Sequence, residues 1–163
     1  IHFTTFASHS YLDRHGMPDV DNLEDHYFIQ SELYANGTGP WQKWNDLARR
    51  GKVSHFSNMS IAYAFLARFG SGIAYLANYV TMHEDAVPLD LGAEVSFPFY
   101  LVGRKSQLQD PKICLVRQTI LDTFRNSPWF GQEFLLRPSG SRTDTTLNNL
   151  FNGSNSASSR ITS

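Results

Sequence analysis

The stretch from Val53 to Leu76 constrains this chain more than any other. Val53-Ser54-His55-Phe56 is a short run of β-favouring residues, followed at once by the helix-capping types Ser57 and Asn58. Ile61, Ala62, Phe65, Leu66 and Phe69 then recur at i, i+1, i+4, i+5 and i+8, the spacing of a helix that lays an apolar stripe against one sheet. Gly70 and Gly72 stop that helix, and Ile73-Ala74-Tyr75-Leu76 is apolar enough for a buried strand. Strand, helix, glycine turn, strand is the crossover unit of an α/β fold, so the chain is expected to build an open sheet with helices on both faces. A strand that ends at a polar helix start is also where such sheets bind ligands, because N–H groups and the helix dipole converge there. The plainer reading of Ser57 and Asn58 is a cap that satisfies its own backbone, and spacing alone favours it.

The remaining elements fall around this unit. Sheet strands are predicted near 1–7, 27–31, 53–57, 73–76 and 97–103, with an edge-like strand over Val87–Leu91 that contains Pro88. Ser8 caps a short helix through Tyr11, Leu12 and Arg14, closed by Gly16 and Pro18. Asp21 and Glu24 have capping-box spacing for a single turn around Leu23. Asn36-Gly37-Thr38-Gly39 is a glycine-rich turn into a helix, with Pro40 at its first position and Trp41, Trp44, Leu47 and Ala48 on its apolar face. Arg49 and Arg50 oppose the dipole at its end, and Gly51 terminates it. A short helix follows over Asn78–His83. Asp110-Pro111 opens the last helix, with Ile113, Val116, Ile120 and Phe124 on one side and an end near Asn126. From Ser139 the composition turns to Ser, Thr, Asn and Gly, which cannot bury enough surface to offset ordering entropy, so residues 137–163 read as a tail.

Composition removes several functions. The net charge of −1 comes without any basic stripe, so a nucleic-acid surface is not expected on this chain. Cys114 is the lone cysteine, set in an apolar helical pattern and expected to be buried and inert; no intrachain disulfide can form, which fits a reducing cytosol. No run of 18 apolar residues is present and no secretory leader opens the chain. The start at Ile1, within an apolar strand and without Met, suggests a fragment of something longer. The six histidines lack metal-site spacing, and His9 and His15 read as surface residues. Gly70-Ser71-Gly72 is not a nucleophile elbow, and Gly37-Thr38-Gly39 is too short for a dinucleotide fingerprint. Neither an enzyme, a cofactor nor a metal is expected.

Binding is the better supported class. The helix starts at Thr38-Gly39-Pro40-Trp41 and Ser57-Asn58 each offer backbone donors, a hydroxyl or amide and a partial positive charge, which suits a carboxylate or similar anion. Trp41 can be an aromatic wall of that site or simply core packing beside Trp44, and the sequence does not separate the two.

Several of these stretches together resemble the effector-binding domain of LysR-type transcriptional regulators. Ser57-Asn58, the alanine- and aromatic-bearing helix, and Gly70-Ser71-Gly72-Ile73-Ala74-Tyr75-Leu76 are similar to the family's Ser-Asn-Asp, alanine-rich helix and Ala-Gly-x-Gly-Ile-Ala-x-Leu-Pro. Ser8-His9-Ser10-Tyr11-Leu12-Asp13-Arg14-His15-Gly16-Met17-Pro18 is similar to its Ser-Pro-x-Tyr-Leu-x-x-His-Gly-x-Pro, and Leu23 to His26 stands in place of its Asp-Leu-x-x-His. Phe97-Pro98-Phe99-Tyr100-Leu101-Val102 is similar to the strand returning to the family's first subdomain. The resemblance covers about residues 1–130. Met59 and Ala77 depart from it, in place of Asp and Pro, and inherit no family role. The Trp-x-x-Trp helix at 41–44 resembles the branch that includes glycine-cleavage activators.

The resemblance implies a Rossmann-like subdomain of a periplasmic-binding-protein type II fold, truncated at its N-terminal side. Residues 1–103 would be the second, regulatory subdomain with two hinge crossings at 1–7 and 97–103. Residues 104–136 would return to a mostly absent first subdomain. The implied function is effector sensing in a bacterial, cytoplasmic regulator. A small anionic or zwitterionic metabolite would sit in the inter-subdomain cleft, touching Thr38, Gly39, Pro40, Trp41, Ser57 and Asn58. DNA would be bound by a helix-turn-helix module outside this chain, in a homodimer or tetramer. That pairing should be lost or irregular here, leaving Ile113, Val116 and Ile120 uncovered. A solute-binding protein of the same fold, used in transport, is the alternative, and a surface serving only oligomerisation is a third reading.

Overall fold

The computed structural model describes residues 1–82 and 85–127, so the expected tail at 137–163 and the end of the 104–136 segment lie outside the described residues. The chain is a mixed α/β structure. Its axis is β1 (His2–Ser8), flanked by antiparallel strands on both sides. On one side β4 (Ala74–Ala77) pairs in the register Phe3↔Ala77 to Phe6↔Ala74. On the other, β5 (Ala86–Leu89) takes Thr5 to Ser8, and β6 (Val95–Ser96) takes His2 and Phe3. Pro88 pairs opposite Phe6 on the outer strand β5, a position a residue without an N–H can occupy.

A second pair, β2 (Tyr27–Ser31) and β3 (Lys52–Ser57), is parallel and ends in register with Ser31 opposite Ser57. Ile73 joins the two sheets. It accepts from the Ile29 N–H at 2.8 Å and donates to the Tyr27 carbonyl at 2.8 Å, a parallel bridge between β2 and the residue before β4. The strands therefore follow one another in the order β3, β2, β4, β1, β5. Gly72 is required at that seam, because a Cβ there would lie 2.7 Å from the Tyr27 carbonyl oxygen.

Helices cover opposite faces of this sheet. Tyr75 stacks on Trp44 of α3 (Gln42–Arg50) at 5.3 Å, whereas Leu76, the next residue, faces the groove beside α4 (Ser60–Arg68). Successive strand side chains point to opposite faces, so α3 and α4 lie on the two sides. Trp44 is fully buried, and its indole N–H donates to Gln30 Oε1 at 2.8 Å. Gln30 in turn donates to Asn45 Oδ1 at 3.0 Å, and Asn45 donates to the Tyr34 carbonyl at 2.9 Å, which ties α3 to the loop before it. The α3 face expected from Trp44, Leu47 and Ala48 is the buried one. At the opposite end of the sheet α1 (His9–His15) starts on Ser8, whose hydroxyl accepts the Tyr11 N–H, and stops at Gly16 with φ +77°.

Several expectations need correction. The α4 stripe is turned: Ile61, Phe65 and Phe69 are exposed, and Tyr63 and Ala67 face inward. Tyr63 is selected because its hydroxyl accepts the Tyr75 N–H at 2.7 Å, a bond none of the purely apolar residues can make. Neither Ser57 nor Asn58 caps α4; the N-cap position belongs to Met59. Asp21–Glu24 forms no helical turn, because the Asp19 carboxylate takes the Asp21 N–H and an Asp19↔Asn22 bridge sets a turn, with Leu23 still buried. Cys114 is half-buried rather than buried, with its thiol on the Leu108 carbonyl.

No strand spans 97–103. The antiparallel register of β6 consumes His2 and Phe3, then ends in a reciprocal pair between Ile1 and Phe97, with Ile1 N donating to the Phe97 carbonyl at 2.9 Å and the Phe97 N–H donating back at 2.8 Å. The next residue, Pro98, has no N–H to offer. Phe99 to Val102 continue as exposed, irregular chain. The last helix, α5 (Pro111–Arg125), is capped by Asp110 and buries no residue: Ile113 and Val116 are exposed, and Ile120 is half-buried beside the 97–101 segment.

Candidate functional site

Because β2 and β3 are parallel and in register at Ser31 and Ser57, the chain leaves both strands at the same end of the sheet. From β2 it runs through α2 (Glu32–Ala35), a turn at Gly37, a single 3-10 turn over Gly39–Trp41, and α3. From β3 it runs through Asn58 into α4. The Thr38-Gly39-Pro40-Trp41 and Ser57-Asn58 segments thus open on one end of one sheet. Ala77 of β4 and Phe3 of β1 pair at that same end, which brings Asn78, His2 and, through β6, Ser96 there too.

Helix capping differs among the elements that start here and elsewhere. Ser8, Ser31 and Asp110 each accept a first-turn N–H of α1, α2 and α5. α3 and α4 have no side-chain cap bond, and neither does the 3-10 turn at Gly39. Ser57 folds its hydroxyl onto Met59, accepting the Met59 N–H at 3.2 Å and donating to the Met59 carbonyl at 3.1 Å. Asn58 is exposed and makes no hydrogen bond among the described residues, and the same holds for the Thr38 side chain. The start of α4 therefore presents first-turn donors and the positive end of a dipole without a side-chain acceptor, whereas α3 continues from the 3-10 turn, with the Gln42 N–H already on the Gly39 carbonyl.

Trp41 is placed differently from its neighbours. Its ring is half-buried in an aromatic cluster, 4.9 Å from Tyr34, 5.2 Å from Phe97, 5.7 Å from Phe3 and 6.0 Å from Tyr75. The packing reading of Trp41 therefore holds, and one edge at most remains for a ligand. Gly37 exists to admit this ring, since a Cβ there would sit 2.2 Å from Trp41 Cδ1. Burial beneath the cluster raises the Tyr34 hydroxyl to about 12, with Tyr79 adding to the shift, so it stays a neutral donor.

Sequence reasoning missed His2, Asn78 and Ser96. His2 Nδ1 and Ser96 Oγ lie 2.5 Å apart, and the His2 N–H donates to Asn78 Oδ1 at 3.4 Å. Only the antiparallel pairing of β1 brings these three distant segments together, and no local pattern signals it. A cavity of about 620 Å³ adjoins them, lined by Ile1, His2, Ser96 and Phe97 on one side and Ile120 and Phe124 on the other. None of Thr38, Gly39, Pro40, Trp41, Ser57 and Asn58 lines it. Among the described residues no group of histidines, cysteines and carboxylates could hold a metal ion, and no helix is long and apolar enough to cross a membrane.

Comparison with known proteins gives one finding. No family model and no curated protein matches the chain. Among solved structures, the regulatory domain of CrgA, a LysR-type transcriptional regulator from Neisseria meningitidis, is similar over 76% of this chain, with 16% sequence identity and a TM-score of 0.49. The matched part spans 65% of that domain's length.

Proposed function

We propose that the chain is the effector-sensing domain of a LysR-type transcriptional regulator, binding a small anionic or zwitterionic metabolite at the end of the sheet where β2 and β3 finish. One observation carries the reading: α4 and the 3-10 turn that runs into α3 start at this end without a side-chain cap, whereas α1, α5 and the short α2 are each capped. A carboxylate accepts from such N–H groups and meets the positive dipole end, as anions do at helix N-termini elsewhere. The motifs around Ser57-Asn58, Gly70 to Leu76 and Ser8 to Pro18 support the family. In this reading the first subdomain closes the cleft over Thr38, Gly39, Ser57 and Asn58, with the crossings at Ile1 and Phe97 leading to it. A helix-turn-helix module outside this chain binds DNA in a bacterial cytoplasm, as a homodimer or tetramer, and no catalysis takes place.

The test is calorimetric titration of a panel of amino acids and small carboxylates against this chain and against the native protein carrying its upstream sequence. A ligand pocket buries ~70–90% of its ligand, and each polar contact contributes roughly 0.5–1.5 kcal/mol. Removal of one wall should therefore weaken binding by about two orders of magnitude at 1.4 kcal/mol per tenfold. Ser57→Ala and Asn58→Ala should weaken binding in the intact protein without changing its melting temperature. Equal and tight binding by both chains would refute the cleft. An upstream secretory leader in place of a helix-turn-helix would transfer the site to a transport protein.

A further inference from the structure

We infer that the trough between α4 and the β1–β4 face is a second binding site, for a medium-chain aliphatic carboxylate. The trough is a cavity of about 530 Å³, within the ~300–1,000 Å³ range of small-molecule sites. It lies on the opposite face of the sheet from the aromatic cluster of Trp41, and it does not depend on the reading of the Ser57-Asn58 end.

Its shape follows from residue size. Phe6 and Leu76, on the α4 face of the sheet, form an apolar floor, and the short side chains of Ala64 and Ala67 leave the room above it. The trough runs along the helix from Ile61 to Arg68, seven residues at ~1.5 Å each, so about 10 Å. That is the span of a medium-chain acid such as octanoate. Ile61, at 69% exposed, Phe65 at 49% and Tyr79 at 47% stand around it with their apolar surface in water, and an alkyl chain would cover them.

The polar end fixes the head group. The Arg68 side chain makes no hydrogen bond among the described residues. Its Nε approaches Asp85 Oδ2 only to 3.7 Å, beyond hydrogen-bond range, and both side chains are about half exposed. A guanidinium held so loosely keeps its donor fork available, and that fork matches a carboxylate in a bidentate pair. Asp85 is then a competitor for Arg68. It sets a ceiling on affinity and makes the site sensitive to its own removal. A neutral alcohol of the same chain length fills the trough without gaining the fork.

The experiment titrates octanoate and 1-octanol into the full 15N-labelled chain, following amide shifts. Octanoate should shift resonances of α4 and of residues 79–80 and 85–86 saturably, and bind more tightly than 1-octanol. Ala64→Phe should abolish both by filling the trough. Arg68→Gln, a surface change that leaves the fold intact, should weaken octanoate about tenfold and leave 1-octanol unchanged, and Asp85→Asn should tighten octanoate. The inference is overturned by the absence of saturable shifts at α4, by equal affinity for acid and alcohol, or by an Arg68→Gln variant that binds octanoate as the parent does. It is equally overturned if the α4 resonances broaden with protein concentration alone and octanoate leaves them unchanged, which would mark the trough as a contact between copies of this chain.

Discussion

Replacing Tyr11 by Phe removes one oxygen atom from a side chain that is 0% exposed. The ring and its packing stay; the loss is confined to hydrogen bonds. The hydroxyl accepts the Tyr27 N–H at 2.8 Å and bonds His26 Nδ1 at 3.1 Å, with the Tyr27 carbonyl 3.5 Å away. Each bond contributes about 1 kcal/mol net, and a buried amide left without an acceptor costs roughly 1–3 kcal/mol. The Tyr27 N–H opens β2 and its bond to this hydroxyl is partly buried, so with both bonds lost the total should be about 2–4 kcal/mol. With a urea m-value of roughly 2 kcal/mol/M, the unfolding midpoint should fall by about 1–2 M with m unchanged. Tryptophan fluorescence is the natural probe, because Trp44 sits at the centre of the core. A fall below about 0.3 M would show that water or a small rearrangement satisfies Tyr27, and that this hydroxyl does not pin α1 to β2.

Two further outcomes follow from neighbouring residues. His26 is buried, and its pKa is lowered chiefly by desolvation and then by His15, with Asp25 acting weakly the other way and Lys52 paired to Asp25 on the adjacent strand. The native state therefore binds fewer protons than the unfolded state between the lowered value and the ordinary one of 6.5; this stability is fully present above pH 6.5 and is lost as pH falls through that window, a slope that urea titrations should show and His26→Gln should flatten. Gly70 has φ +74°, and a Cβ there would meet Arg14 Nη2 at 2.6 Å and Ser10 Oγ at 2.7 Å. Gly70→Ala should cost about 2–3 kcal/mol from the left-handed backbone and the displaced Arg14 bond to the Gly70 carbonyl, read by the same denaturation.

Elements with one consistent local signal were legible in the sequence. β2, β3 and β4 are runs of β-favouring residues between turn formers, and α3 had a single apolar face that the structure buries at Trp44, Leu47 and Ala48. Where two signals competed, local reading chose the wrong one. α4 is apolar almost all round, and the inward side was decided by the hydroxyl of Tyr63 meeting a strand N–H, a tertiary fact. Phe99 to Val102 has the composition of a strand, but strand formation needs a partner, and the β1 register is used up at Ile1. The Ser57-Asn58 end was legible as polar helix-start chemistry. Its lack of a cap was not, because any Ser or Asn before a helix reads as one. His2, Asn78 and Ser96 were invisible for the opposite reason: three separate segments meet there through pairing alone.

The reciprocal bonds between Ile1 and Phe97 have a mechanical consequence. Two antiparallel strands leaving a sheet side by side behave as a leaf spring: they bend readily out of the sheet plane, but sliding one past the other breaks the bonds that tie them. The two chain ends are thus clasped at a single point of the sheet: they can tilt there together, but one cannot be drawn past the other without breaking that clasp.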